Sequence, residues 1–200
     1  MSPANVMEPT YEAIKRRLKF GAWRSGTRLE SSRIADELGV SVTPVRDCLY
    51  RLAGERMVDF GYGEGFHVHR LTETEMRDML ELNLILLLAA LATARGSPAE
   101  VTPVTDDLAD RTAAIFASAA RRSGNAELAA AIASFNDRLH LARRLDAEIL
   151  DGTGQELDTL EDAFAGDQVG GDARNVLLRY HERRAYQAGV YVQRLSQTTP

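Results

Sequence analysis

Between residues 39 and 52, GVSVTPVRDCLYRL, the polar side chains Thr43, Arg46, Asp47, Tyr50 and Arg51 fall along one side of a helical pattern. Hydroxyls and guanidinium groups at an exposed helix start can hold phosphate oxygens and read base edges in the DNA major groove. Val42 and Pro44 share the first turn, where a proline's missing N–H costs nothing. Val45, Leu49 and Leu52 recur at three- and four-residue spacing and make the opposite, apolar face. Residues 31–39 precede them as a short amphipathic helix, with serine at its start and Gly39 where a left-handed residue ends a helix. Ser41 is placed to cap the second helix. Two short helices on so tight a turn form a helix-turn-helix, whose second helix enters the groove. An ordinary helical hairpin with a solvated polar face has the same pattern, so the flanking segments must decide.

Downstream, residues 57–60 and 65–69 alternate in character and are joined by Gly61-Tyr62-Gly63-Glu64, a turn suited to a β-hairpin. A hairpin directly after the second helix is the wing of a winged helix. Gly63 and Gly65 would let its backbone approach DNA closely, with His67 on its polar face. His67 and His69 share a side of the strand, but two imidazoles with no thiol or carboxylate beside them make a polar face sooner than a metal site. Upstream, residues 11–20 read as a first helix with Tyr11, Ile14 and Leu18 turned inward. Its cluster Lys15-Arg16-Arg17-x-Lys19 places Lys15 and Arg17 to touch backbone phosphates, or simply to face water.

The order Tyr11, Ile14, Gly21, Gly26-Thr27-Arg28-Leu29, Ile34-Ala35, Leu38-Gly39-Val40-Ser41, Thr43-Pro44-Val45-Arg46, Leu49, Leu52 and Gly63-x-Gly65-x-x-Val68 resembles the DNA-binding domain of the GntR family of bacterial transcription regulators. The resemblance spans about sixty residues. It implies DNA contacts from Arg33, Ser41, Val42, Thr43, Pro44, Arg46, Tyr50, Arg51, Gly63, Gly65, His67, Lys15 and Arg17. Three positions depart from the family pattern. Val42 stands where arginine usually follows the serine, Ser32 occupies a commonly basic position with Arg33 beside it, and Arg56 takes the place of a small helix-ending glycine. Each arginine–guanine pair carries about 1–3 kcal/mol of discrimination, so an altered or weaker operator preference is implied.

The chain has 200 residues, 44% hydrophobic and 26% charged, which is material for a packed core and too apolar for disorder. Its net charge of −5 is unevenly spread. Residues 1–70 carry eleven Lys and Arg against nine Asp and Glu, and the rest thirteen against twenty, so a mildly basic front joins an acidic body. A secretory leader is not expected, and the apolar run around residues 84–91 is too short to span a bilayer. Cys48, the single cysteine, rules out an internal disulfide and reads as a packed thiol in a small-residue slot. These features fit a cytoplasmic, nucleoid-associated protein. Neither a Gly-x-Ser-x-Gly elbow nor a phosphate loop nor a catalytic Cys/His pair is found, so an enzyme is not expected.

From Thr72 onward helical segments are expected at 73–95, 99–122, 125–150, 154–166 and 172–196, the first opened by the capping box Thr72-x-x-Glu75. The fold class is therefore mainly α: a winged helix-turn-helix in residues 1–70, then an all-α bundle in residues 71–200. This second half resembles the FCD effector and dimerisation domain of the FadR-like branch, through Met79-Leu80-Glu81-Leu82, Ala89-Ala90-Leu91-Ala92, Ser123-Gly124-Asn125 and Gly166-Asp167 with His181. Many such domains hold a divalent metal on one aspartate and three histidines. Here those slots fall on Ala113, Ala117, Leu157 and His181, which implies no metal and no other cofactor. A competing registration puts His140 in a ligand slot with Asn136 one turn earlier.

Two readings of the bundle remain open. A small organic effector could take polar contacts from Asn83, Arg138, Tyr180, His181 or Arg184, or the bundle could be filled and serve only dimerisation. The expected partners are a palindromic duplex operator and a second copy of the chain, with no membrane. An architectural DNA-binding protein without an inducer is the third possibility.

Overall fold

The structure, a computed structural model, describes residues 4–94, 107–165 and 171–197. The chain divides into two compact units. One runs to Leu71 and takes in the chain from Arg194, and the other is Thr72–Gln193.

The first unit opens with α1 (Ala4–Lys19), α2 (Ser31–Leu38) and α3 (Val42–Gly54). Tyr11, Ile14 and Leu18 of α1, Ile34 and Ala35 of α2, and Val45, Cys48, Leu49 and Leu52 of α3 are buried together. The apolar spacing expected of α3 is thus what seats it. Helix α1 begins well before residue 11 and includes Pro9. The Thr10 hydroxyl there donates to the Val6 carbonyl at 2.7 Å, bridging the turn that proline interrupts. Gly39 ends α2 with φ 67°, as its position required. The serine caps are corrected. Glu30 holds the N-cap position of α2, and Ser41 holds that of α3 without its hydroxyl bonding the helix.

Strands β1 (Val58–Gly61) and β2 (Gly65–Val68) pair antiparallel, Phe60 opposite Phe66 and Asp59 opposite His67. The sequence reading missed a third extended segment. Leu29 N–H donates to the Phe66 carbonyl at 2.8 Å and Val68 N–H to the Thr27 carbonyl at 2.9 Å, so residues 27–29 brace the hairpin from its other edge.

The second unit begins at α4 (Glu73–Thr93), where the Thr72 hydroxyl accepts from Glu75 N–H as the capping box required. Then come α5 (Leu108–Arg122), α6 (Ala126–Arg138), α7 (His140–Arg143), α8 (Asp146–Ile149), α9 (Thr153–Ala165), α10 (Gly171–Tyr186) and α11 (Ala188–Gln197). Their core joins Leu87 and Ala90, Ile115 and Phe116, Ile132, Leu157 and Leu160, and Leu177 with Tyr180. Gly124 and Gly152 turn the chain with φ near 66° at the two breaks expected there.

Three boundaries differ from expectation. Helix α5 starts at Leu108, with Asp107 capping it through Ala109 and Asp110 N–H; the part of that segment before residue 107 lies outside the described residues, as does Gly166-Asp167. Residues 125–150 form three helices. No glycine or proline marks these breaks; the buried polar residues Asn136, His140, Arg143 and Asp146 lie there and take side-chain partners. Residues 172–196 likewise divide at Gln187. No helix among the described residues is long and apolar enough to cross a membrane.

Candidate nucleic-acid interface and bundle centre

On α3 the burial of one face leaves Ser41, Val42, Thr43, Arg46, Tyr50 and Arg51 exposed on the other, with Pro44 half-buried. The two arginines differ in their surroundings. Arg46 has no ion-pair partner among the described residues, so its guanidinium is available to a phosphate or base. Arg51 instead donates to Glu8 at 3.0 Å and Glu55 at 3.3 Å and lies 3.6 Å over the Tyr11 ring. Arg51 is thereby held against α1, a role the sequence pattern did not reveal.

Lys15, Arg17 and Arg33 also have protein partners. Lys15 Nζ donates to the Tyr11 hydroxyl at 2.9 Å, and that hydroxyl donates to Glu55. Arg17 reaches Glu37 at 2.6 Å and Arg33 reaches the same carboxylate at 3.1 Å, holding its pKa below the ordinary value. Lys15 is half-buried, which turns it toward α3 rather than outward.

Tyr50 is half exposed but leans on the wing. Its ring meets Phe60 and Phe66 edge-on, with centroids 5.1 and 4.8 Å away, and the two phenylalanines are 5.0 Å apart. Helix α3 and the hairpin are therefore fixed to each other by three rings. At the hairpin tip Gly63 and Gly65 take φ of 82° and 87°, which a side chain would resist. His67 sits on β2 bridged to Arg28, while His69 Nδ1 pairs with Asp59 at 2.7 Å. Arg56, in the family's glycine slot, adopts φ 59°.

In the second unit, Asn83 of α4 and Tyr180, His181 and Arg184 of α10 are all buried. His181 Nδ1 donates to the Leu177 carbonyl at 2.8 Å, and its ring stacks on Phe116 with centroids 5.9 Å apart. Burial lowers its pKa to about 3, so the ring is neutral and Nε2 is an acceptor. Nε2 faces the Asn83 side-chain amide at 3.1 Å, and only the NH2 end of that amide can donate to it. Arg184 donates through Nε and Nη2 to one Asp146 oxygen at 3.0 and 2.6 Å and pairs with Glu156 at 2.9 Å. The Tyr191 hydroxyl donates to the other Asp146 oxygen. Burial opposes the Arg184 charge, but Tyr180, Asp146 and Glu156 outweigh it and raise its pKa.

Arg138 is not part of this group. It lies 3.7 Å from Glu75 with its guanidinium over Phe135. In its stead stands Arg143, which the sequence reading passed over because neither spacing nor family motif marks it. Arg143 is buried, lies over the Phe116 ring at 5.1 Å and donates through Nη1 to Asn136 at 2.9 Å. Its Nε and Nη2, the Tyr180 hydroxyl and the outer atom of the Asn83 amide are buried without hydrogen-bond partners among the described residues. Burial disfavours the charged form of each group, lowering the Arg143 pKa and raising that of Tyr180, whose hydroxyl is thereby kept protonated.

The two registrations of the family's metal slots meet in space, since the Asn136 amide donates to the Ala113 carbonyl at 3.1 Å. The set does not suit a cation. Arg143 already brings a positive charge to Asn136, both His181 nitrogens are engaged, and Leu157 is core. His140 pairs with Asp110 at 2.9 Å, and with Asp107 these ligand atoms lie within 4.8 Å of one another. Asp107 is committed to capping α5 and to Arg144 at 3.4 Å.

Residues 7–68 match the profile of the bacterial regulatory proteins, gntR family. The HTH-type transcriptional regulator McbR of Escherichia coli (strain K12) is 31% identical over 81 residues, which are 40% of this chain and 37% of McbR. That match therefore spans little more than a third of the relative's length. Among solved structures, a GntR-type protein from Rhodococcus sp. RHA1 superposes with a TM-score of 0.78 at 18% identity, over 93% of this chain and 98% of that one. E. coli McbR/YncC superposes with a TM-score of 0.62 at 19% identity, over 93% and 96%. The likeness to these structures is one of fold, a winged N-terminal domain followed by an all-helical one.

Proposed function

The chain carries a GntR-family helix-turn-helix domain in residues 7–68, and from that premise we propose that it is a transcription regulator that binds a palindromic duplex operator as a homodimer. The observation that carries this reading is Arg46, exposed beside Ser41 and Thr43 on a helix that three aromatic rings tie to a glycine-tipped wing. Two copies are needed because each winged helix reads one half-site. Leu82 and Ile85, exposed on the outer side of α4, support pairing through the bundle. Repression, relieved or imposed by an effector, is the direction proposed.

The effector would lie in the bundle against Arg143, Tyr180 and Asn83. The Arg143 N–H and Tyr180 O–H groups left over there call for a small organic molecule with an anionic or acceptor-rich head, the outer Asn83 oxygen accepting from it, and no metal is required. A ligand changes DNA affinity only as far as it prefers one state of the dimer. The close internal pairing of Arg184, Asp146 and Tyr191 favours a second reading, in which the bundle is filled and only joins two copies.

Selection of duplexes from a random pool tests the first part. A palindromic consensus is expected, and the absence of any preferred sequence at moderate salt would refute it. Calorimetric titration with a metabolite panel separates the two bundle readings, and metal analysis of the purified protein checks the cofactor reading; stoichiometric zinc or nickel would overturn it.

A further inference from the structure

Beside the recognition helix, the first unit holds a cavity of about 860 Å³ that shares Ser41, Thr43 and Pro44 with the proposed DNA-reading face. Its walls are Met7, Pro9 and Ala13 of α1, Leu38 and Val40 at the end of α2, and Pro44 of α3. The volume lies in the range of small-molecule sites, and the lining is predominantly apolar, as such sites are. Gly39 also lines the cavity, and a Cβ there would meet nothing within 4 Å. Asp47 is the single charged residue on the lining and has no cationic partner among the described residues. Ser41, whose hydroxyl does not cap α3, and Thr43 complete the rim.

Apolar walls with one unpaired carboxylate complement an apolar body with one positive charge. The partial positive charge of the α3 start opposes a cation, but Pro44 contributes no N–H there and Asp47 bears a full charge. We propose that this groove binds a small amphipathic organic cation, an amine or quaternary centre on an aromatic or aliphatic body, and that its occupancy excludes DNA. Exclusion follows because Ser41, Thr43 and Pro44 would serve both ligands. Cation binding stands independently, whereas exclusion rests on the proposed DNA-binding function.

Tetraphenylphosphonium and tetraphenylborate have the same shape and opposite charge, so equilibrium dialysis of the full chain against each isolates the contribution of Asp47. The phosphonium should bind saturably and about tenfold more tightly than the borate, and Asp47→Asn should remove that preference. Ala13→Trp, which fills the groove, should abolish binding of both ions with the thermal melt unchanged. Should that variant unfold, Val40→Trp adds bulk at another lining residue and should likewise abolish binding of both ions. Saturating phosphonium should weaken binding to a selected duplex about tenfold in the wild type and not in Asp47→Asn. Equal binding of the two ions, or an unaltered preference in Asp47→Asn, overturns the cation site. Tight phosphonium binding that leaves duplex affinity unchanged overturns exclusion. Failure of the wild type to select any duplex refutes the regulator reading and leaves the cation site to be decided by dialysis.

Discussion

The ring of Tyr50 stands edge-on to that of Phe66, with centroids 4.8 Å apart and planes at 76°. Phe60 joins them, so the recognition helix and the wing present themselves to a duplex in a fixed relation. An aromatic pair of this kind contributes about 0.5–1.5 kcal/mol beyond its buried area. Tyr50→Ala should therefore lower the urea midpoint and DNA affinity together, while Tyr50→Phe leaves both unchanged. Loss of duplex binding in Tyr50→Phe at unaltered stability would instead make the hydroxyl a DNA contact.

Arg56 holds φ 59° at the end of α3, a conformation in which a side chain crowds its own backbone. Glycine relieves that strain but gains freedom in the unfolded chain, so Arg56→Gly should stabilise by up to about 1 kcal/mol. Arg56→Val should destabilise. Chemical denaturation followed by circular dichroism measures both.

His181 makes stability depend on pH. Its pKa of about 3 in the folded state lies below the roughly 6.5 of a free imidazole. Between those values the unfolded chain binds the proton that the buried ring refuses. Its contribution is complete above about pH 6.5 and is lost progressively as pH falls toward 3. From pH 7 to pH 5 the loss from this group should be about 2 kcal/mol. His181→Gln should show a shallower slope over that interval than the wild type; identical slopes would mean that the ring is already accessible to protons.

Asp146 carries the opposite kind of vulnerability. Arg184 and Tyr191 donate to both of its oxygens, and all three side chains are buried. Asp146→Ala should cost about 3–5 kcal/mol, because it leaves a buried guanidinium with Glu156 as its remaining carboxylate. The exposed Glu37, shared by Arg17 and Arg33, should change stability far less when it is replaced by Gln. Thermal melts of the two variants test the contrast.

How much of this was legible in the sequence depended on range. The α2–α3 turn and the hairpin were readable because their determinants are local: Gly39, Pro44, the apolar spacing of Val45, Leu49 and Leu52, and the glycines at 63 and 65. The bundle centre was only half legible. Asn83, Tyr180, His181 and Arg184 could be named, but Arg143 and Asp146 could not, because their role comes from packing against Phe116 and Arg184 across helices. The breaks near residues 139 and 145 escaped for the same reason, since buried polar residues rather than glycine or proline mark them. Lys15 and Arg51 look like free cations in one dimension; only the fold shows that Glu55 and Glu8 engage them.

The central claim is that the exposed face of α3 reads DNA, and Arg46 against Arg51 is its sharpest test. Fluorescence anisotropy with a selected duplex and with a scrambled one should show Arg46→Ala losing about tenfold or more of affinity for the selected sequence alone, as one arginine–base contact implies. Arg51→Ala should lose stability first, through its contacts with Tyr11 and Glu8. Unchanged binding of the selected duplex by Arg46→Ala, in a folded protein, would contradict the account.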